Sequence, residues 1–300
     1  TTNGIGNLLW AFGTTYGFHL KDDKVVYGPL LGEFTEGLRY ITKLYNENLI
    51  DTDYLLNDRT KMDGKVTNNK AGYLFAMQPT RYCNNMDDGT RVVAGIPYLT
   101  GPYGHKMCFN SMYTQSVIST SLAITTANRN PKGTLKWIDN FFGGEGYNYM
   151  NFGEEGVSYN WVDGYPVLTD SVLSIDPNTG NTKVGITIGC MDSSFPALQD
   201  WRYYSQTLAK WGKQAIEVWA SDNVDTSNCL PVLSFTNEEQ EIITDRMSQI
   251  STYFAQEVNK VVVGQSRLED WSKVQDRIKS MGIEEVLEIQ NNAYKRYKNR

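Results

Sequence analysis

The residues best equipped for chemistry in this chain are aromatic. It carries 19 Tyr and 7 Trp against 11 Phe, an excess of rings ending in a hydroxyl or an indole N–H, which suit half-wet surfaces. They recur beside polar side chains in four stretches: Trp10, Phe12 and Tyr16; Gln78, Arg81 and Tyr82; Asn110, Met112 and Tyr113; and Trp201, Arg202 and Tyr203. Aromatic walls with a few convergent polar groups are how proteins hold small ligands. Other chemistries find less support. Glu154 and Glu155 offer two carboxylates, as glycoside hydrolysis requires, but neighbours on an extended segment point to opposite sides. Histidine is the commonest metal ligand and general base, yet only His19 and His105 are present, far apart and in no HExxH or GxSxG arrangement. Gly143-Gly144-Glu145-Gly146 lacks the lysine of a phosphate loop and reads as a helix stop. Cys83, Cys108, Cys190 and Cys229 form no CxxC pair; they allow three disulfide connectivities, or buried thiols acting as small apolar residues. No catalytic residue, metal site or cofactor is expected.

These groups must be positioned by alternating helices and short strands. Asp22-Asp23 favours a turn before the strand-forming Val25-Val26-Tyr27. Phe34, Leu38, Ile41, Leu44 and Tyr45 recur at steps of three and four, predicting a helix over 32–48, and a weaker helix covers 58–68. Strands are expected at 71–77, 91–97 and 115–126. Asn130-Pro131 is a helix start with Asn at the cap, and Leu135, Ile138, Phe141 and Phe142 form its inner face. Loops and short strands are expected over 146–189, then a helix over 200–220. Thr236-Asn237-Glu238-Glu239 and Ser266-Arg267-Leu268-Glu269 each read as a capping box. The first opens a helix carrying Ile242, Ile250 and Val258, and the second a helix that Gly282 breaks before a final amphipathic helix over 283–297. This alternation points to an α/β fold.

The 300 residues carry 28 basic and 34 acidic side chains, a net charge of −6. With a pI near 5.1 and a basic cluster only at Lys295-Arg296-Lys298-Arg300, no nucleic-acid footprint is present. No stretch approaches the ~18 consecutive apolar residues of a membrane span, and Thr1-Thr2-Asn3-Gly4 has no signal-peptide character. The start reads as that of a mature or truncated product. Length predicts two domains or one large one.

Three blocks carry a resemblance. Lys24–Gly28 followed by Phe34–Asp51 is the first, and Asn151–Tyr159 through Asp163-Gly164-Tyr165-Pro166 the second. The third runs from Phe235 through Trp271 and Met281–Glu285 to Ala293–Tyr297. In this order they are similar to the extracellular solute-binding proteins of bacterial ABC importers, in the carbohydrate-binding branch and especially the Gram-positive lipoproteins. The resemblance spans nearly the whole chain, and in the family an N-terminal portion with a lipidated cysteine precedes the position of Thr1.

What the resemblance implies is a two-lobed α/β fold of the type II periplasmic-binding-protein kind. Residues 1–115 and 235–300 would form the C-terminal lobe, while 116–234 would return to the N-terminal lobe, whose first part is absent. It further implies a receptor, not an enzyme, that captures an oligosaccharide by hinge closure and delivers it to the transmembrane subunits of a permease. Such a receptor is expected to be monomeric, extracytoplasmic, and held at the cell surface through an upstream lipid anchor. Sugar recognition needs rings to stack on pyranose faces, so the expected ligand-binding residues are Trp10, Tyr16, Arg81, Tyr82, Tyr113, Trp201 and Tyr203. A secreted carbohydrate-active enzyme or a surface adhesin are the alternatives.

Overall fold

The computed structural model describes residues 5–75, 93–109, 122–175, 198, 200–208 and 210–299. The chain divides into two compact units. The first comprises Thr1–Phe75, Tyr98–Val117 and Asp222–Arg300, and the second Ala76–Pro97 and Ile118–Ser221.

The first unit is built around one apolar core drawn from both ends of the sequence. The Gly32–Asn46 helix buries Phe34, Leu38 and Ile41, as its three-and-four spacing predicts. Against it pack Ile250, Phe254 and Val258 of the Asn237–Val262 helix, Trp271, Val274 and Ile278 of the Trp271–Ser280 helix, and Ile283 and Val286 of the Ile283–Lys298 helix. The Phe34 and Trp271 rings stack at 5.5 Å with planes 21° apart, and Phe254 closes on both. The Trp271 indole N–H donates to the Pro29 carbonyl at 3.3 Å, so this large ring is buried without stranding its polar atom. Leu9 and Phe12, in the 3₁₀ segment Asn7–Phe12, approach the helix at Gly37, where any Cβ would lie 2.5 Å from Leu9.

Phe18–Lys21 and Lys24–Tyr27 form an antiparallel hairpin. Asp22 and Asp23 both take positive φ, 50° and 59°, the left-handed backbone of a two-residue hairpin turn. One edge of the hairpin meets Asn228, whose carbonyl accepts Leu20 N–H at 2.9 Å. On the other edge Asn291 of the last helix accepts Val25 N–H at 2.9 Å and donates to the Val25 carbonyl at 3.0 Å.

The second unit is held differently. Its buried cluster is Phe152, Tyr159, Leu168, Val172 and Tyr203, contributed by the Gly144–Phe152 and Asp170–Leu173 helices, the Tyr159–Val162/Tyr165–Leu168 hairpin and the Trp201–Thr207 helix. A further helix spans Lys210–Ser221.

Several expectations hold in detail. The box at Thr236 forms reciprocally: Glu239 N–H donates to Thr236 Oγ1 and Thr236 N–H to Glu239 Oε2. Asn130 caps the Pro131–Asp139 helix by accepting Gly133 N–H at 3.0 Å. Others need correction. The second box does not form, because the chain enters a 3₁₀ turn at Leu268–Asp270 with no side-chain cap. Gly143 does end the preceding helical run, at Phe142, and a new helix begins at once with Gly144. The expected helix over 200–220 is two pieces, with Leu208 buried between them. Leu135 is 58% exposed and Trp137 56%, so the apolar stripe of the Pro131–Asp139 helix is not an inner face. Residues 71–75, 93–97 and 122–126 pair with no strand, and the remainder of those three expected strands lies outside the described residues. At 95–96 side chains take the place of a neighbouring strand. Gln214 bonds both Gly95 N–H and Gly95 C=O, at 2.9 and 3.1 Å, and the Trp219 indole donates to the Ile96 carbonyl at 3.0 Å.

Trp271→Ala should therefore cost about 3–5 kcal/mol and lower the melting temperature by on the order of 10 °C, while Leu135→Ala should stay within about 0.5 kcal/mol of the parent; thermal denaturation of both variants checks the contrast. A pH dependence follows from His19, which is 1% exposed and edge-on to Phe109. Burial pushes its pKa from 6.5 down to about 4, the Gly17 carbonyl opposing and Lys21 and Glu33 adding smaller, opposite effects. Between those values only the unfolded chain takes up the proton, so stability drains as pH falls from 6.5 to 4, by on the order of 3 kcal/mol. Urea unfolding across that range should show a steeper loss for the parent than for His19→Phe; equal slopes would remove His19 as the cause.

Candidate functional site

The helix that begins at Trp201 sits on a compact polar network. Asn151, on the Gly144–Phe152 helix, accepts Asp200 N–H at 2.7 Å, and its own amide donates to the carbonyls of Tyr147 and Leu198, each at 2.9 Å. This fixes the start of the Trp201–Thr207 helix against the preceding one. Asp200, only 7% exposed, accepts from Tyr147 hydroxyl at 2.7 Å, from Arg202 N–H at 2.8 Å and from the Arg202 guanidinium at 2.6–3.1 Å. Burial raises the Asp200 carboxyl, but the bonds from Arg202 and Tyr147 outweigh it and hold it below the ordinary carboxylate range. The same bond from Asp200 pushes Arg202 up.

Arg202 also lies over two rings, 5.6 Å from the Phe152 centroid and 6.0 Å from that of Tyr165, in cation–π range. The hairpin is bound to the helix by Gln206, which accepts Leu168 N–H at 2.9 Å and donates to the Pro166 carbonyl at 2.8 Å. Tyr165 hydroxyl and Ser205 Oγ are 3.2 Å apart. Trp161 and Tyr165, each 39% exposed, are therefore presented on a hairpin clamped to the helix that opens with Trp201. Asp163 and Gly164, both at positive φ, make the hairpin's turn. The Asp-Gly dipeptide between Tyr-Asn-Trp-Val and Tyr-Pro-Val-Leu was the local signal for these two rings.

Of the sequence candidates whose side chains are described, Trp10 and Tyr16 lie in the first unit and Tyr203 in the second. Trp10 is 9% exposed and meets Phe75 edge-on at 5.2 Å, inside the first unit. Tyr16 packs on Phe34 and Phe254; its hydroxyl is sealed from water without a hydrogen-bond partner, and burial pushes its pKa upward. Tyr203 is buried in the core of the second unit. Trp10, Tyr16 and Tyr203 thus take packing positions here. Arg81, Tyr82 and Tyr113 lie outside the described residues, as does the side chain of Trp201. Among the described residues no group of His, Cys, Asp and Glu is arranged to hold a metal, and no helix is long and apolar enough to cross a membrane.

The Asp200–Arg202 pair should behave as one unit. Arg202→Ala strands a buried carboxylate and should cost about 1–3 kcal/mol, discounted because the guanidinium is partly exposed. In a double-mutant cycle with Asp200→Ala the coupling should exceed about 0.5 kcal/mol, read from urea unfolding, and strictly additive losses would refute the pairing.

No family model matches the chain. It is 22% identical over 299 residues to the fructooligosaccharide ABC transporter substrate-binding protein FusA of Streptococcus pneumoniae serotype 4, covering 92% of this chain and 51% of FusA. It is also 24% identical over 174 residues to the lipoprotein LipO of Bacillus subtilis strain 168, covering 54% of this chain and 34% of LipO. The chain thus spans about half the length of FusA and a third of that of LipO. Among solved structures, the alginate-binding protein AlgQ2 without calcium superposes with a TM-score of 0.72 at 22% identity, over 98% of this chain and 62% of that one. The S. pneumoniae FusA–kestose complex gives 0.65 at 18%, over 98% and 60%. The fold is therefore α/β and periplasmic-binding-protein-like, and in sequence the chain is similar to FusA and LipO.

Proposed function

We propose that the chain is the carbohydrate-capturing portion of an ABC-importer receptor, binding an oligosaccharide and handing it to a membrane permease. The observation that carries the reading is the likeness over nearly the whole chain, in sequence and in fold, to FusA, whose solved structure holds kestose. In this reading residues 1–115 and 235–300 form the C-terminal lobe and 116–234 the segment returning to the N-terminal lobe. The protein works as a monomer outside the cytoplasm, held at the cell surface by a lipid anchor.

Trp201, together with Tyr82, stacks on sugar faces, and Arg81 and Tyr113 supply polar contacts. Trp161 and Tyr165 extend the aromatic surface on the clamped hairpin. Asp200, the buried carboxylate of this cluster, is bonded by Arg202 and Tyr147 and holds the start of the Trp201–Thr207 helix. Glu154 and Glu155 are both exposed, on the turn before the hairpin.

Calorimetric titration of the full-length protein with kestose and with alginate oligomers tests this. Trp201→Ala and Tyr82→Ala should each weaken binding at least tenfold, about 1.4 kcal/mol, with an unchanged ligand-free melting temperature. A variant that only unfolds early removes that ring from the site. Sugar cleavage that vanishes on replacing a carboxylate pair would replace the receptor with an enzyme, and no thermal shift with any soluble sugar would leave a surface scaffold.

A further inference from the structure

Two cysteines that the binding chemistry does not use lie side by side in the first unit. The segment around Lys106–Cys108 and the segment around Asp225 run together. Asp225 N–H donates to the Lys106 carbonyl at 2.8 Å and Cys108 N–H to the Asp225 carbonyl at 3.0 Å, a parallel bridge centred on Met107 and Asp225. Lys106 and Asp222 add an ion pair between the same segments. Four residues beyond Asp225, Cys229 turns back through its N–H bond to the Thr226 carbonyl and aims its Sγ at the Cys108 carbonyl, 2.9 Å away. Backbone bond lengths then put Cys229 Sγ within about 5 Å of Cys108 Cα. Disulfides join residues whose Cα atoms are about 4.4–6.8 Å apart, a span of the same order as this sulfur-to-backbone approach. Cys108 is 1% exposed and Cys229 8%.

We propose that Cys108 and Cys229 are the two halves of a disulfide that closes when the protein folds in an oxidising thiol–disulfide pool. The oxidant is a small-molecule disulfide such as glutathione disulfide. One cysteine thiolate attacks it and expels one glutathione thiolate, and the second cysteine displaces the other glutathione from the mixed disulfide. One S–S bond forms and one is reduced, with two electrons passing to glutathione and the two thiol protons accompanying them. Closure precedes burial, because the folded chain shields both sulfurs. The position gives the bond its consequence. One segment leads out of the first unit at Ile118 and the other returns to it at Asp222, so the cross-link ties together the root of the whole 118–221 excursion. This inference is independent of the sugar-binding reading.

The test is refolding of the full chain in reduced and oxidised glutathione, followed by intact mass and non-reducing peptide mapping. The expected result is a mass lower by about 2 Da, a cross-linked peptide pair containing Cys108 and Cys229, and a melting temperature several degrees above that in reductant. Cys229→Ala should abolish both the cross-link and the reductant-sensitive shift, and a Cys83→Ser/Cys190→Ser variant should retain them. Quantitative alkylation of Cys108 and Cys229 after oxidative refolding, or a map pairing either with Cys83 or Cys190, overturns the proposal. Should a variant fail to fold, the peptide map of the unaltered chain decides alone.

Discussion

The stack of Phe34 on Trp271 joins residues more than two hundred positions apart, and the first unit depends on it. Each of its helices presents an apolar stripe too narrow to be stable alone, since short helices in water draw most of their stability from packing. Only when the first helix meets the last three do Phe34, Phe254 and Trp271 leave water together. The Pro29 carbonyl, bonded by Trp271 at 3.3 Å and by Gln275 at 3.0 Å, fixes the angle at which the C-terminal helices arrive. The intervening chain can then leave and return without disturbing this closure.

The second unit solves its polar accounting with side chains where a larger sheet would have used backbone. Gln214 gives Gly95 both partners that an adjacent strand would supply, and Gly95 admits the close approach because any Cβ there would fall 2.4 Å from Ala215 Cα. Asp200 is similarly saturated by Arg202, Tyr147 and the Arg202 backbone. Such bonds are directional and charge-assisted, and they hold a helix start in place more firmly than apolar contact would.

Helical periodicity was the readable part of the sequence. The stripe of Phe34, Leu38 and Ile41 and the cap at Thr236 were legible because each is a local rule whose outcome no distant contact reverses. Strands at 93–97 and 122–126 were misread because β-branched residues report fitness for a pleated, half-buried surface, not the presence of a partner strand. The stripe of the Pro131–Asp139 helix has the right period, yet Leu135 stays exposed, since period identifies an apolar face without saying what covers it. The Ser266 box failed because the chain enters that helix through a 3₁₀ turn that begins after Arg267 with no side-chain cap. Among the site residues, spacing could not distinguish a ring that walls a ligand from one that fills a core, and Trp10 and Tyr16 proved to be packed within the first unit.

The first hairpin is only ten residues long, and each of its strands faces something other than another strand. Asn228 covers one side and the Asn291 amide the other. An open strand edge is a template on which a second chain can add, and native proteins blunt it with bulges, charges or cover. Here the cover is a carboxamide that mimics one residue of a neighbouring strand and is carried on a helix, where the pairing cannot propagate. The hairpin is thereby withdrawn from edge-to-edge association, which guards the chain against polymerising through its own backbone.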